Sequence, residues 1–72
     1  MWILTSTVHD NDGEVACGFV AEFEQQPDFE FVQDMLLDTP LDDDFPAMVI
    51  SLTLGGFVIA VWERVLDVNQ KD

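Results

Sequence analysis

The sequence predicts an α+β domain in the order ββαββ, with a four-stranded, mostly antiparallel sheet and one amphipathic helix on one face. Two pairs of strand-like runs each flank a glycine-containing turn, and a single segment with helical periodicity lies between the pairs. The chain has 72 residues, which is the size of one small domain. We therefore expect a single domain over residues 1–68, followed by a frayed C-terminal tail over residues 69–72.

The first hairpin is predicted from Trp2 to His9 and from Val15 to Phe23, around the turn residues Asp10 to Gly13. Residues of these types tolerate positive φ or form turns with their own side chains. A two-residue loop gathers the large apolar groups on one face. It pairs Trp2 with Phe23, Leu4 with Ala21, Ser6 with Phe19 and Val8 with Cys17. A three-residue loop would pair Trp2 with Glu22 instead of Phe23. That pairing fits a half-buried strand less well.

The second hairpin is predicted from Met48 to Leu54 and from Phe57 to Leu66, joined by Gly55-Gly56 in a type I′ turn. An unbroken register pairs Leu52 with Ile59 and makes both faces largely apolar. One helix cannot cover both faces, so we expect a homodimer through the outer face. The predicted interface, with Trp62 as its anchor, consists of Val49, Val58, Ala60 and Trp62.

The helix is predicted from Pro27 to Asp38, with Pro27 in the first helical position and acids near the positive end of the helix dipole. It should end before Pro40, because the residue before a proline avoids helical geometry. A helical wheel separates an apolar side from an acidic stripe. The apolar side holds Phe29, Phe31, Val32, Met35 and Leu36, and the stripe holds Glu30, Asp34 and Asp38.

The distribution of charge is the most unusual property of the chain. Residues 1–63 contain no Lys or Arg but thirteen of the fifteen Asp and Glu residues, the other two being Asp67 and Asp72. The net charge is −13, and only Arg64 and Lys71 oppose it. Internal ion pairs can therefore neutralise few of these acids, whose repulsion opposes a compact state. The sign of the charge disfavours direct binding to nucleic acid and favours a basic protein partner.

The candidate binding residues lie in the acidic segment from Asp28 to Asp44, which has seven carboxylates in seventeen residues. Acids spaced i, i+4 rise by about 6 Å per step along a helix and repel by roughly 0.2–0.5 kcal/mol per pair. A cationic groove could accept such a row. The predicted contact set is Glu30, Asp34, Asp38, Asp42, Asp43 and Asp44, with Phe45 as an apolar anchor in a partner pocket.

Other classes of function have weak support in the sequence. His9 and Cys17 are expected on opposite faces of the first hairpin, with Cys17 in the core, so we predict no enzyme and no cofactor. Three consecutive Asp residues, Asp42 to Asp44, do not converge on one cation, so we predict no metal site. The single cysteine rules out an internal disulfide and fits a reducing cytoplasm. The most apolar window, Ala47 to Trp62, is too short for a membrane helix.

In size and lopsided charge the chain resembles the small inhibitors that bacteriophages and mobile elements make against host defence nucleases, including anti-CRISPR and anti-restriction proteins. The resemblance is one of type and rests on no shared motif. Many such inhibitors imitate DNA, and this implies an inhibitor that blocks a basic nucleic-acid-binding site in the host cytoplasm. Three alternatives stay open: an immunity or antitoxin protein against a cationic nuclease toxin, an acidic subunit of a larger assembly, and a merely solubilising acidic face.

Overall fold

The computed structural model describes residues 1–66 and confirms the predicted α+β fold. The elements, in chain order, are β1 (Trp2–His9), β2 (Val15–Phe23), α1 (Phe29–Asp38), β3 (Ala47–Leu54) and β4 (Phe57–Val65). The predicted domain end at residue 68 and the predicted tail over 69–72 lie outside the described residues.

The four strands form one antiparallel sheet in the order β2-β1-β3-β4, so β1 and β3 are central and β2 and β4 are edges. Helix α1 packs on β3 and β4 on one face of the sheet. The buried core lies between them and consists of Leu4, Val32, Leu36, Met48, Ile50 and Leu52. Within residues 1–66, no helix is long and apolar enough to span a membrane.

The first hairpin has the predicted register but a different turn. From Val8 opposite Cys17 to the far end of the strands, every pair is as predicted. The loop has three residues, 11–13, and Gly13 takes a φ of +83°. Ala16 is then an extra residue in β2 and forms a β-bulge. The bulge restores the pairing that a three-residue loop alone would have shifted by one residue.

The second hairpin has the predicted turn but a different register. Gly55 and Gly56 have φ angles of +59° and +87°, as a type I′ turn requires. Beyond the first two pairs a bulge at Ile59 interrupts the ladder, so Leu52 pairs with Ala60. The predicted pairing of Leu52 with Ile59 is therefore wrong, because one extra residue in β4 moves the rest of that strand to the opposite face.

This bulge separates the residues that were predicted to form a dimer interface. Ala60 and Trp62 lie on the helix side of the sheet, and the Trp62 ring meets Phe29 edge-on with centroids 5.1 Å apart. Val49 and Val58 lie on the opposite face, which we call the open face. The predicted set of four therefore does not share one surface, and Trp62 is a core contact. Dimer formation through the open face stays a prediction.

Helix α1 begins two residues later than predicted. Asp28 is the N-cap, with extended backbone and a side-chain oxygen that accepts a hydrogen bond from Glu30 N at 3.0 Å. This bond satisfies one of the amide groups that the first turn leaves without a partner. Pro27 precedes the cap and is buried, so its predicted place in the first helical turn is wrong.

The carboxyl end of α1 is capped by the only Lys or Arg among residues 1–66. Arg64 Nη1 donates to the carbonyl oxygens of Leu36, Leu37 and Thr39 at 2.8, 3.1 and 2.7 Å. Thr39 is extended, as expected before Pro40. The guanidinium thus satisfies unpaired carbonyls and complements the negative end of the helix dipole. The Arg64 guanidinium therefore caps the helix and does not pair with the surface acids.

Candidate partner-binding surface

The predicted acidic row is present on α1. Val32 and Leu36 are buried against the sheet, whereas Glu30, Asp34 and Asp38 are all exposed. These three acids lie roughly opposite the buried pair on a wheel of 100° per residue. The row therefore faces away from the sheet, where a partner can reach it.

The loop after α1 is a closed turn that Asp42 builds. Its Oδ1 accepts hydrogen bonds from Asp44 N and Phe45 N, each at 2.9 Å. The backbones of Asp42 and Phe45 also bond each other in both directions, at 3.2 and 3.3 Å. Asp42 thus has a structural role that the sequence analysis missed, although an Asp before turn residues is a known signal for it. Asp43 and Asp44 are exposed.

The turn of the first hairpin lies against this acidic loop. Asp10 Oδ1 accepts from Asp12 N at 2.9 Å and from Glu14 N at 3.0 Å, which shapes the turn. Asn11 Nδ2 then donates to Asp43 O at 2.8 Å. This hydrogen bond joins two acidic segments that are far apart in sequence. The turn therefore adds its carboxylates beside the loop that follows the carboxyl end of α1.

The row, the loop and the turn together form what we call the acidic surface. It is made of Asp10, Asp12, Glu14, Glu30, Asp34, Asp38, Asp42, Asp43 and Asp44. In the described part of the chain the hydrogen bonds of Arg64 go to backbone carbonyls and leave these carboxylates without a cation. Within that same part, no group of three or more His, Cys, Asp or Glu side chains could hold a metal ion.

Phe45 lies at the junction between the acidic loop and an apolar cavity. Its side chain is 42% exposed. The cavity has a volume of about 340 Å³. It is lined by Val8, Ala16, Cys17, Thr39, Pro40, Asp42 and Phe45. The predicted anchor is therefore accessible, and it borders a mostly hydrophobic hollow that the sequence did not reveal.

Cys17 and His9 are separated by the sheet, as predicted. Cys17 is exposed, so its predicted place in the core is wrong; the reason is that α1 covers β3 and β4 rather than β2. His9 lies on the open face, where its Nε2 is 2.9 Å from Thr7 Oγ1 and its Nδ1 is 3.4 Å from Gly13 O. The structure does not bring these two side chains together.

No protein-family model, curated protein or solved structure matches this chain. The acidic surface and its surroundings are therefore the basis for a functional proposal.

Proposed function

We propose that this protein is a non-enzymatic inhibitor that mimics nucleic acid and occupies the basic nucleic-acid-binding site of a host defence protein. It would act in the host cytoplasm, in the manner of anti-CRISPR and anti-restriction proteins. The observation that carries the proposal is the acidic surface, where three segments of the chain meet and no Lys or Arg of residues 1–66 pairs with their carboxylates. A Lys- or Arg-rich site would supply the missing cations.

The energetics support a partner of this kind. Glu30 repels Asp34 and Asp34 repels Asp38, at a cost of roughly 0.2–0.5 kcal/mol for each pair in an isolated helix. Within residues 1–66 no Lys or Arg lies on that face of α1, although Lys at these spacings would reverse the sign of the interaction. When a cationic groove of another protein binds, attraction to its Lys and Arg side chains replaces this repulsion. The single-sign field also accelerates the encounter of the two proteins.

The roles of the carboxylates within the surface differ. Asp42 and Asp10 each use one oxygen to hold backbone amides, so they shape the surface as well as charge it. Asp34, Asp38 and Asp43 are exposed, and within residues 1–66 their carboxylates hold no backbone amide. We therefore assign the direct contacts with the partner's cations mainly to these three and their immediate neighbours.

Affinity capture with competitive elution tests this proposal. The immobilised protein is exposed to nuclease-treated bacterial lysate, and bound proteins are eluted with duplex DNA or with NaCl of the same ionic strength. We expect nucleic-acid-binding proteins to elute with DNA at concentrations where the salt alone releases little. The matched control replaces Asp34, Asp38, Asp42 and Asp43 with Asn, which keeps side-chain volume and removes four charges. It should capture far less.

An immunity protein against one cationic toxin is the second candidate, and the exposed Phe45 beside its cavity favours it. Such a complex would hold Phe45 in a partner pocket and depend less on ionic strength. Capture of a single toxin that DNA does not elute would select this candidate over the mimic. Failure to recover any basic protein in dilute buffer would contradict both.

A further inference from the structure

We infer that the open face joins two copies of this chain back to back, so that one dimer presents two acidic rows on opposite outer sides and binds two cationic sites. Dimer formation itself does not depend on the proposed function. The use of the two rows rests on it, because the rows are taken to bind the partner's cations.

The open face exposes apolar side chains from both edge strands. Val20 of β2 pairs with Thr5, and Val61 of β4 pairs with Ser51, which places both valines on this face. Val20 is 63% exposed and Val61 is 53% exposed. Val58 lies on the same face and is 64% exposed. Within residues 1–66 the helix packs on the other side of the sheet and leaves these valines to solvent.

The distribution of charge selects a second copy as the occupant. Of the thirteen Asp and Glu residues among residues 1–66, only Glu22 and Glu63 lie in strands on the open face. Both are on edge strands, so the central strands carry no carboxylate there. A basic protein finds few anions to pair with on this face. A second copy of net charge −13 meets far fewer like charges here than on the acidic surface.

The size of the face meets the need of a specific dimer. Four strands about 4.8 Å apart and eight residues long, at about 3.3 Å per residue, give roughly 500 Å² in projection. Two copies therefore bury at least about 1,000 Å², which is the lower bound for a specific interface. The hydroxyls of Thr7 and Thr53 donate to Val49 O and Ile3 O, each at 3.5 Å, so burial leaves neither without a partner.

The acidic turn of the first hairpin borders the open face at one end only. A cleft of about 310 Å³ lies there, lined by His9, Asp10, Asn11 and Glu63 among others. Stacking two sheets with antiparallel strands places the two turns at opposite ends, about 26 Å apart for strands of eight residues. This separation exceeds the Debye length of about 8 Å at physiological ionic strength, so the turns repel little.

Back-to-back stacking leaves both acidic rows accessible. Helix α1 lies on the side of the sheet away from the open face, and its row of Glu30, Asp34 and Asp38 faces away from the sheet. The dimer is then a stack of helix, sheet, sheet and helix. With layers about 10 Å thick, the two helix axes lie about 30 Å apart. The rows point in opposite directions and cannot enter one cationic groove together.

Sedimentation equilibrium of the unmutated protein at 0.1 M and 1 M NaCl tests the interface. We expect a dimer whose dissociation constant falls at high salt, because a Debye length of about 3 Å screens the repulsion between two acidic chains. Association through the acidic surface would show the opposite dependence on salt. A monomer at both salt concentrations, or a dimer that salt dissociates, would overturn the interface and leave the acidic surface as a binding site.

Lysine variants localise the interface. Val61→Lys should raise the dissociation constant of the dimer at least tenfold, because it buries a charge in the interface. It also lowers the net negative charge, so general repulsion between copies cannot explain the loss. Phe57→Lys is the matched control on β4, because Phe57 is 74% exposed but pairs with Leu54 on the helix side. It should leave the dissociation constant within about twofold. Val20→Lys repeats the test on β2 if Val61→Lys does not fold.

A sandwich assay with a deca-lysine peptide tests the two outward rows. Immobilised peptide captures the protein, and labelled peptide is then added. A captured dimer keeps one row free, so the unmutated protein and Phe57→Lys should bind the label at least fivefold more than monomeric Val61→Lys. Equal signals from dimer and monomer would overturn the two-sided arrangement. A dimer that binds no peptide in dilute buffer would contradict the proposed function and leave the interface standing.

Discussion

Arg64→Leu should destabilise the fold strongly, because one nitrogen of this residue caps the carboxyl end of α1. Nη1 lies 2.7–3.1 Å from three carbonyl oxygens. It has two hydrogens to share among them, so the contacts amount to about two hydrogen bonds with a charged donor, each worth about 1.5–3 kcal/mol. Arg64 is only partly buried, which favours the lower values, and the helix dipole adds about 0.3–1 kcal/mol.

We therefore expect the free energy of unfolding to fall by about 2–4 kcal/mol, a large share of the stability of a domain of this size. The melting temperature should fall by roughly 10–30 °C, since 1 kcal/mol shifts a domain of 60–100 residues by about 4–8 °C. Urea denaturation followed by tryptophan fluorescence measures the first quantity, and calorimetry measures the second.

Two controls separate capping from net charge. Arg64→Lys keeps the charge but lacks the planar guanidinium, so its free energy of unfolding should fall by about half as much as that of Arg64→Leu. At 1 M NaCl the Debye length is about 3 Å, which screens repulsion among surface acids but not short hydrogen bonds. The loss in Arg64→Leu should therefore persist in high salt. A loss below about 0.5 kcal/mol, or one that disappears in high salt, would refute the capping argument.

Further predictions concern the strands, the acidic loop and the open face. Gly18→Ala should cost about 1–3 kcal/mol of unfolding free energy, because a Cβ there would lie 2.5 Å from Ser6 O; unchanged stability in urea would contradict this. Asp42→Ala should lower the free energy of unfolding in urea by about 1 kcal/mol, whereas Asp43→Ala should not, because of these two residues Asp42 alone holds backbone amides with its side chain. Analytical ultracentrifugation should show a dimer at micromolar concentration that Val58→Lys on the open face disrupts, and a wild-type monomer would count against the dimer.

The sequence predicted those parts of the fold that depend on local patterns. Gly55-Gly56 determines a type I′ turn by its backbone freedom, and the alternation of large residues determines the register of the first hairpin. The two bulges were not predictable in the same way. Ile59 and Ala16 have no feature that marks them as extra residues, because a bulge depends on how a whole strand meets its neighbour. Trp62 was assigned to the wrong face for this reason.

The same distinction, between local patterns and contacts distant in the chain, applies to the candidate site. The acidic row and the acidic loop are visible as a charge pattern, since Glu30, Asp34 and Asp38 are close in the chain. The contact of Asn11 with Asp43 joins residues 32 positions apart, and no local pattern reports such a contact. The 48% exposure of Phe19 was also missed, because it depends on which strands the helix covers.

The surface acids oppose folding, and we propose that they serve to bind a basic partner. The most direct test compares the unmutated protein with the variant in which Asp34, Asp38, Asp42 and Asp43 are all Asn, measuring thermal stability and capture of basic proteins in one experiment. We expect the variant to melt at a higher temperature, because repulsion among the acids is relieved, and to capture little basic protein. A stable variant that still captures the same proteins would show that these acids do not bind the partner.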